Sequence, residues 1–142
     1  MNVKTRVLLV ESMTDLREVL EDLLEQAGYE VRSAATALAA LEECERFRPH
    51  VALVDTTIAD AHASRLANHL RASMEPRSLV LAMSLEPITG WPAAAYDRIH
   101  MKPITGPELR ESIEGFLTEP RELQSEFELD RPSAEDWLSR PN

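Results

Sequence analysis

Five polar residues of this chain stand where apolar stretches break off, and as a set they suit phosphoryl transfer. Glu11 and Ser12 follow Val7-Leu8-Leu9-Val10, Asp55 closes Val51-Ala52-Leu53-Val54, Ser84 follows Leu79 to Met83, and Lys102 follows Ile99-His100-Met101. A carboxylate is a competent nucleophile toward phosphorus. Other acidic or oxygen groups hold Mg2+, a hydroxyl bonds a phosphate oxygen, and a lysine offsets its charge. Singly, each has an ordinary reading. Lys102 before Pro103 is by default a solvated lysine, and a strand-end acid such as Asp55 can simply cap the next segment, although an acid closing a buried apolar strand at a switch point is more often functional. The set gains meaning only if one fold brings it together.

The apolar patterning predicts such a fold. Val7–Val10, Val51–Val54 and Leu79–Met83 are continuous apolar runs, the pattern of strands buried on both faces of a parallel sheet. Between them the period changes. Leu16, Val19, Leu20, Leu23, Leu24 and Ala27 form a helical stripe, with Gly28 at a left-handed cap position. A short strand is expected around Tyr29 to Ser33, then an Ala-rich helix from about Thr36 to Arg46. Ala63, Leu66, Ala67 and Leu70 give another stripe, and Ile99 to Met101 a short fifth strand. Thr105 with Glu108 makes a capping pair around Pro107, opening a last helix faced by Leu109, Ile113, Phe116 and Leu117. Pro87, Gly90 and Pro92 interrupt the connection between the fourth and fifth strands, where a loop or one or two helical turns is expected. The alternation predicts a doubly wound parallel α/β sheet, in which ligands bind beyond the carboxyl ends of the strands. Those ends carry Glu11, Ser12, Asp55, Ser84 and Lys102.

Composition limits the alternatives. The chain has 142 residues, enough for one domain and a modest extension, with 44% hydrophobic and 28% charged residues. We expect a domain over 1–118 and an acidic, proline-containing extension over 119–142, in which Phe127, Leu129, Trp137 and Leu138 are isolated apolar points. The formal net charge of -10 disfavours nucleic-acid binding, which needs a basic surface to release counterions. The apolar run near the N-terminus is too short for a signal peptide or membrane span, so a cytoplasmic location without membrane attachment is expected. Cys44 is the only cysteine, and its Ala/Leu-rich setting reads as a small buried hydrophobe. His50, His62, His69 and His100 are dispersed and read as surface or core histidines.

In order, Val-Leu-Leu-Val-Glu-Ser, Pro-His-Val-Ala-Leu-Val-Asp, Leu-Ala-Met-Ser and Met-Lys-Pro-Ile resemble the successive signatures of response-regulator receiver domains, over about residues 5 to 118. The resemblance implies a flavodoxin-like strand order of 2-1-3-4-5. It implies that Asp55 accepts a phosphoryl group from a histidine of a kinase or phosphotransfer protein, that Lys102 bridges to the phosphate, and that Ser84 bonds it and moves when it arrives. It implies Mg2+ held by Glu11, Asp55 and the backbone carbonyl of Thr57, and a downstream protein partner rather than an output domain in the same chain.

This chain also departs from that pattern. Ser12 stands where a second acid is usual, and capping of the first helix with Asp15 competes with metal ligation for it. Ala59, Asp60 and Ala63 replace a Pro-Gly turn and a later glycine, and Ile99 replaces an aromatic switch residue. The interval from Ser84 to Lys102 is short, similar to receivers whose fourth helix is degraded or lost. The alternative function is therefore a pseudo-receiver, a protein-interaction module that is not phosphorylated. A phosphatase of the haloacid-dehalogenase type is disfavoured because Asp55-Thr56-Thr57 lacks the second acid two residues on. Flavin binding is disfavoured because Glu11 would repel a phosphate and no phosphate-binding loop follows the first strand.

Overall fold

The computed structural model describes residues 3–58 and 61–118. Strands β1 (Arg6–Val10), β2 (Glu30–Ala34), β3 (Val51–Asp55), β4 (Leu79–Ser84) and β5 (Arg98–Met101) form one parallel sheet in the order β2-β1-β3-β4-β5. Helices α1 (Thr14–Gln26), α2 (Ala37–Phe47), α3 (Ala63–Arg71) and α4 (Gly106–Thr118) connect or follow them. The expected doubly wound topology is present. The β4–β5 connection holds only a 3-10 segment, Trp91–Ala95, with Pro92 in its first turn, in line with the interruption read from the prolines and Gly90. The acidic extension over 119–142, with its apolar points, lies outside the described residues, as do Ala59 and Asp60 of the β3–α3 loop.

Each central strand is continuously apolar because each face of the sheet meets its own pair of helices. Leu8, Val10, Ala52, Val54, Val80 and Ala82 pack with Ala40, Cys44, Leu66 and Leu70 of α2 and α3. Val7, Leu9, Val51, Leu53, Leu79 and Leu81 pack with Leu20, Leu24, Leu109 and Ile113 of α1 and α4. Alternate residues thus enter opposite cores, and no position in β3 or β4 is left for solvent. Cys44 is fully buried, and burial pushes its thiol up to about 12, so it behaves as a hydrophobe.

Two local expectations shift. β2 begins at Glu30 because the Tyr29 amide is spent closing α1 on the Leu24 carbonyl, 3.2 Å away, while the Glu30 amide opens the ladder on Thr5. Gly28 takes its left-handed cap role there, with φ +98°. The capping reading of Ser12 with Asp15 is corrected: the N-cap of α1 is Met13, no side chain caps the helix, and Ser12 is exposed. The reason lies one residue earlier. The Glu11 carboxylate accepts the Met13 amide at 3.2 Å, while Arg17 donates to the Glu11 carbonyl at 2.9 Å. Glu11 therefore fixes the turn into α1. At α4 the expected cap is present, with Thr105 Oγ1 accepting the Glu108 amide at 3.2 Å.

Candidate functional site

β1, β3 and β5 end at the same edge of the sheet, with β4 between β3 and β5, and the polar residues at their ends meet. Lys102 Nζ lies 3.1 Å from Glu11 Oε1 and 3.1 Å from Asp55 Oδ1. Glu11 is 0% exposed and Asp55 1%, so both carboxylates are withdrawn from water and must be compensated inside the fold. One ammonium serves two carboxylates. Two buried acids this close do not both ionise easily, and their titrations separate. For Glu11, burial is the largest influence and raises its pKa above the ordinary value, helped by Asp55 and opposed by the Met13 amide and Lys102. Asp55 is also pushed up by burial, but bonds from the Thr57 amide, Glu11, Lys102 and the Thr57 hydroxyl together hold it below the ordinary value. Asp55 is thus the member of the pair kept as carboxylate. Lys102 loses charge preference through burial and more than regains it from the two acids, so its pKa is raised.

The two oxygens of Asp55 are not equivalent. Oδ1 accepts from the Thr57 amide at 3.1 Å, the Thr57 hydroxyl at 2.9 Å and Lys102 Nζ at 3.1 Å. Among the described residues, Oδ2 accepts from the Thr57 hydroxyl, at 3.0 Å. Lys102 thus reaches one oxygen of the carboxylate, while the Thr57 hydroxyl reaches both.

The remaining candidates are placed differently. Ser84 ends β4 beside this cluster, yet its hydroxyl donates to the Glu86 carbonyl at 2.6 Å and accepts the Glu86 amide at 3.2 Å, so it stiffens its own turn. Ser12 makes no side-chain contact with the acids. The Thr57 side chain clamps Asp55. That clamp had a legible signal: a hydroxyl two residues after an acid closes a local turn. Ile99, at the switch position, is half-buried and packs on the α2/α3 face of the sheet. Asp97 had no such signal: its carboxylate accepts the buried Val80 amide at 2.7 Å and pairs with Arg71 at 3.3 Å, tying the β4–β5 connection to α3.

No group of three or more His, Cys, Asp or Glu able to hold a metal occurs among the described residues. The buried carboxylates of Glu11 and Asp55 nonetheless fit Mg2+, which is commonly held by one or two carboxylates and otherwise by water and phosphate oxygens. Lys102 already marks the spot as one that accepts positive charge. No helix among the described residues is long and apolar enough to cross a membrane.

Comparison with known proteins agrees with this fold. The model of the response regulator receiver domain family matches residues 7–114. Among solved structures, a CheY-like receiver domain protein from Methanospirillum hungatei JF-1 is 24% identical, with 87% of this chain and 98% of that one covered at a TM-score of 0.74. A CheY-like receiver domain from Methylobacillus flagellatus is 22% identical over 80% of this chain and 99% of its own, with a TM-score of 0.74. The response regulator TrrA from Thermotoga maritima, solved in complex with Mg2+ and BeF, is 19% identical over 79% of this chain and 98% of its own, with a TM-score of 0.71. Among curated proteins, none matches.

Proposed function

This chain belongs to the response regulator receiver domain family of two-component signalling, and from that premise we propose that it is a phosphorylation-controlled switch whose acceptor is Asp55. The observation that carries this reading is the setting of Asp55: a buried carboxylate at a strand end held below its ordinary pKa, with Oδ1 engaged by Lys102 and the carboxylate clamped by Thr57. Asp55 Oδ2 would attack the phosphorus of a phosphohistidine. The new P–O bond makes an acyl phosphate, the P–N bond breaks, and its electron pair leaves with the imidazole of a histidine kinase or phosphotransfer protein. Lys102, already within 3.1 Å of Oδ1, offsets the charge that arrives. Glu11, Asp55 and the Thr57 carbonyl would hold Mg2+, which when bound screens the incoming phosphoryl oxygens. Ser84 would have to exchange its bond to Glu86 for one to the phosphoryl group, so the β4–β5 connection would move and change the surface offered to a downstream protein.

The test is exposure of the purified protein to acetyl phosphate or phosphoramidate with Mg2+, read by intact mass beside Asp55→Asn. A gain of one phosphoryl group in the natural protein and none in the variant supports the reading. No gain in either overturns it in favour of the pseudo-receiver. That second reading draws on two observations: Ser84 is committed to Glu86, and Ser12 leaves the metal set with only two carboxylates.

A further inference from the structure

β5 is an edge strand whose residues alternate between the two faces of the sheet. Ile99 enters the α2/α3 side, and His100 points the other way, to α4. There His100 Nε2 lies 2.7 Å from Ser112 Oγ, and Nδ1 lies 4.0 Å from Glu108 Oε2. Ser112 is buried, and the His100 side chain is only 15% exposed. Ordinary strand-on-helix packing at this place needs only an apolar side chain. An ionisable ring bonded to a buried hydroxyl is a more demanding join, because each partner is left unsatisfied if the other turns away. The same strand leads directly to Lys102, whose amide is pinned to the Ser84 carbonyl at 2.7 Å and whose Nζ reaches Glu11 and Asp55.

We infer that His100 is a positioning residue: bonded to Ser112, it latches the end of β5 to α4 and sets the reach of Lys102 into the acidic cluster, and taking up a proton re-aims that latch. The inference rests on the reading of Lys102 as part of the site. A neutral imidazole offers one donor and one acceptor, so the Ser112 hydroxyl can donate to Nε2. A protonated ring only donates. Ser112 Oγ must then accept, its own hydrogen must find another oxygen, and Nδ1–H is drawn toward the Glu108 carboxylate, which at 4.0 Å is beyond hydrogen-bond range in the present geometry.

The charged groups acting on the ring are few. Glu108 on α4 favours the cation and Arg98 on β5 opposes it, while the β4 residue beside it, Met83, is neutral. Burial is the largest influence and lowers the His100 pKa from its ordinary 6.5, so the latch holds at neutral pH and changes in mild acid. The sign follows from linkage: the unfolded chain binds this proton more readily than the folded one. Stability therefore falls as pH drops below 6.5 and levels off once the folded ring is itself protonated.

The experiment follows the His100 ring and the backbone amides of Ser112 and Lys102 by NMR in the full chain, from about pH 7.5 to about pH 5, the range in which histidine titrates. The expected result is that Lys102 shifts with the same midpoint as His100, and that this shift is lost in His100→Gln, whose amide can still bond Ser112 but does not titrate. Ser112→Ala keeps the titrating ring and removes its partner, and is expected to uncouple Lys102 from it. A Lys102 amide that ignores His100, or that shifts equally in both variants, overturns the inference. Failure of Asp55 to take up phosphate would leave this readout untouched, because it follows Lys102 itself.

Discussion

The carboxyl edge of the sheet is held in two different ways. At the ends of β1, β3 and β5, three ionisable groups from distant parts of the sequence are locked together, the two acids buried away from water. On the side of the β4–β5 connection, Ser84 bonds only two residues ahead, and the segment down to Tyr96 is mostly exposed, tied back by Asp97 to Arg71 and Val80. The first arrangement stores electrostatic energy that a change of charge must release. The second consists of local bonds that are readily exchanged. A switch needs both, a stiff sensor and a neighbour that yields, and the short 3-10 segment in place of a full helix lowers the cost of yielding.

The sharpest way to break this contrast is Lys102→Met. It leaves Glu11 and Asp55 buried against each other with no cation, and breaking a buried pair from one side costs about 3–5 kcal/mol. Urea unfolding at neutral pH without Mg2+ is expected to show a loss of that size. A loss below about 1 kcal/mol, the range of an exposed ion pair, would mean that the cluster is solvated and the contrast false.

On the other side, the strongest tie is Asp97. Asp97→Ala leaves the Val80 amide, in a fully buried strand, without its acceptor and costs about 1–3 kcal/mol. Hydrogen exchange should show the loss concentrated in residues 85–101, with β1 and β3 retaining their protection. Uniform loss across the sheet would show that the connection is not a separate unit.

Glu11 gives a pH signature that separates the two sides further. Its pKa is raised in the folded protein, so its contribution to stability is full below 4.5 and is lost as pH rises through its folded value. Glu11→Gln removes that loss, and stability relative to the natural protein is expected to rise between about pH 4 and neutrality. Asp55 has the opposite sign. Its pKa is lowered, so its contribution is present above 3.8 and disappears as pH falls through its folded value. Asp55→Asn therefore flattens the acid limb of the stability curve, and denaturant midpoints across the pH range read both effects.

Most of the scaffold was legible, because the chemistry that forms it is local or periodic. Val51–Val54 and Leu79–Met83 announce buried strands by the absence of any polar alternation, and Gly28 and Thr105 mark helix ends by conformational and hydrogen-bonding needs that few residues meet. The strand order was not contained in those patterns and came through the resemblance. Within the site, Glu11, Asp55 and Lys102 were legible as strand-end residues, since topology alone brings such ends together. The direction of the Ser84 hydroxyl was not: a serine bonds whichever oxygen or amide lies nearest, and the Glu86 backbone is nearer in chain than any phosphate. Ser12 failed for a similar reason, because Glu11 already accepts the amide at the start of α1. Asp97 and His100 were invisible because their partners, Arg71, Val80 and Ser112, are set by packing between elements rather than by spacing along one.

The smallest expected effect lies at Ser84. Both of its side-chain bonds go to Glu86, which is exposed although Ser84 itself is buried, and a hydrogen bond of this kind contributes about 0.5–1.5 kcal/mol net. Ser84→Ala should therefore lower stability by no more than about 1 kcal/mol and leave the Lys102 contacts unchanged. Its value is in the contrast with Lys102→Met: a hydroxyl cheap to release in the resting protein is one that a phosphoryl group at Asp55 can recruit. If Ser84→Ala instead costs as much as loss of the lysine, the β4 end is as rigid as the acidic cluster, and the conformational signal must leave the site by another path.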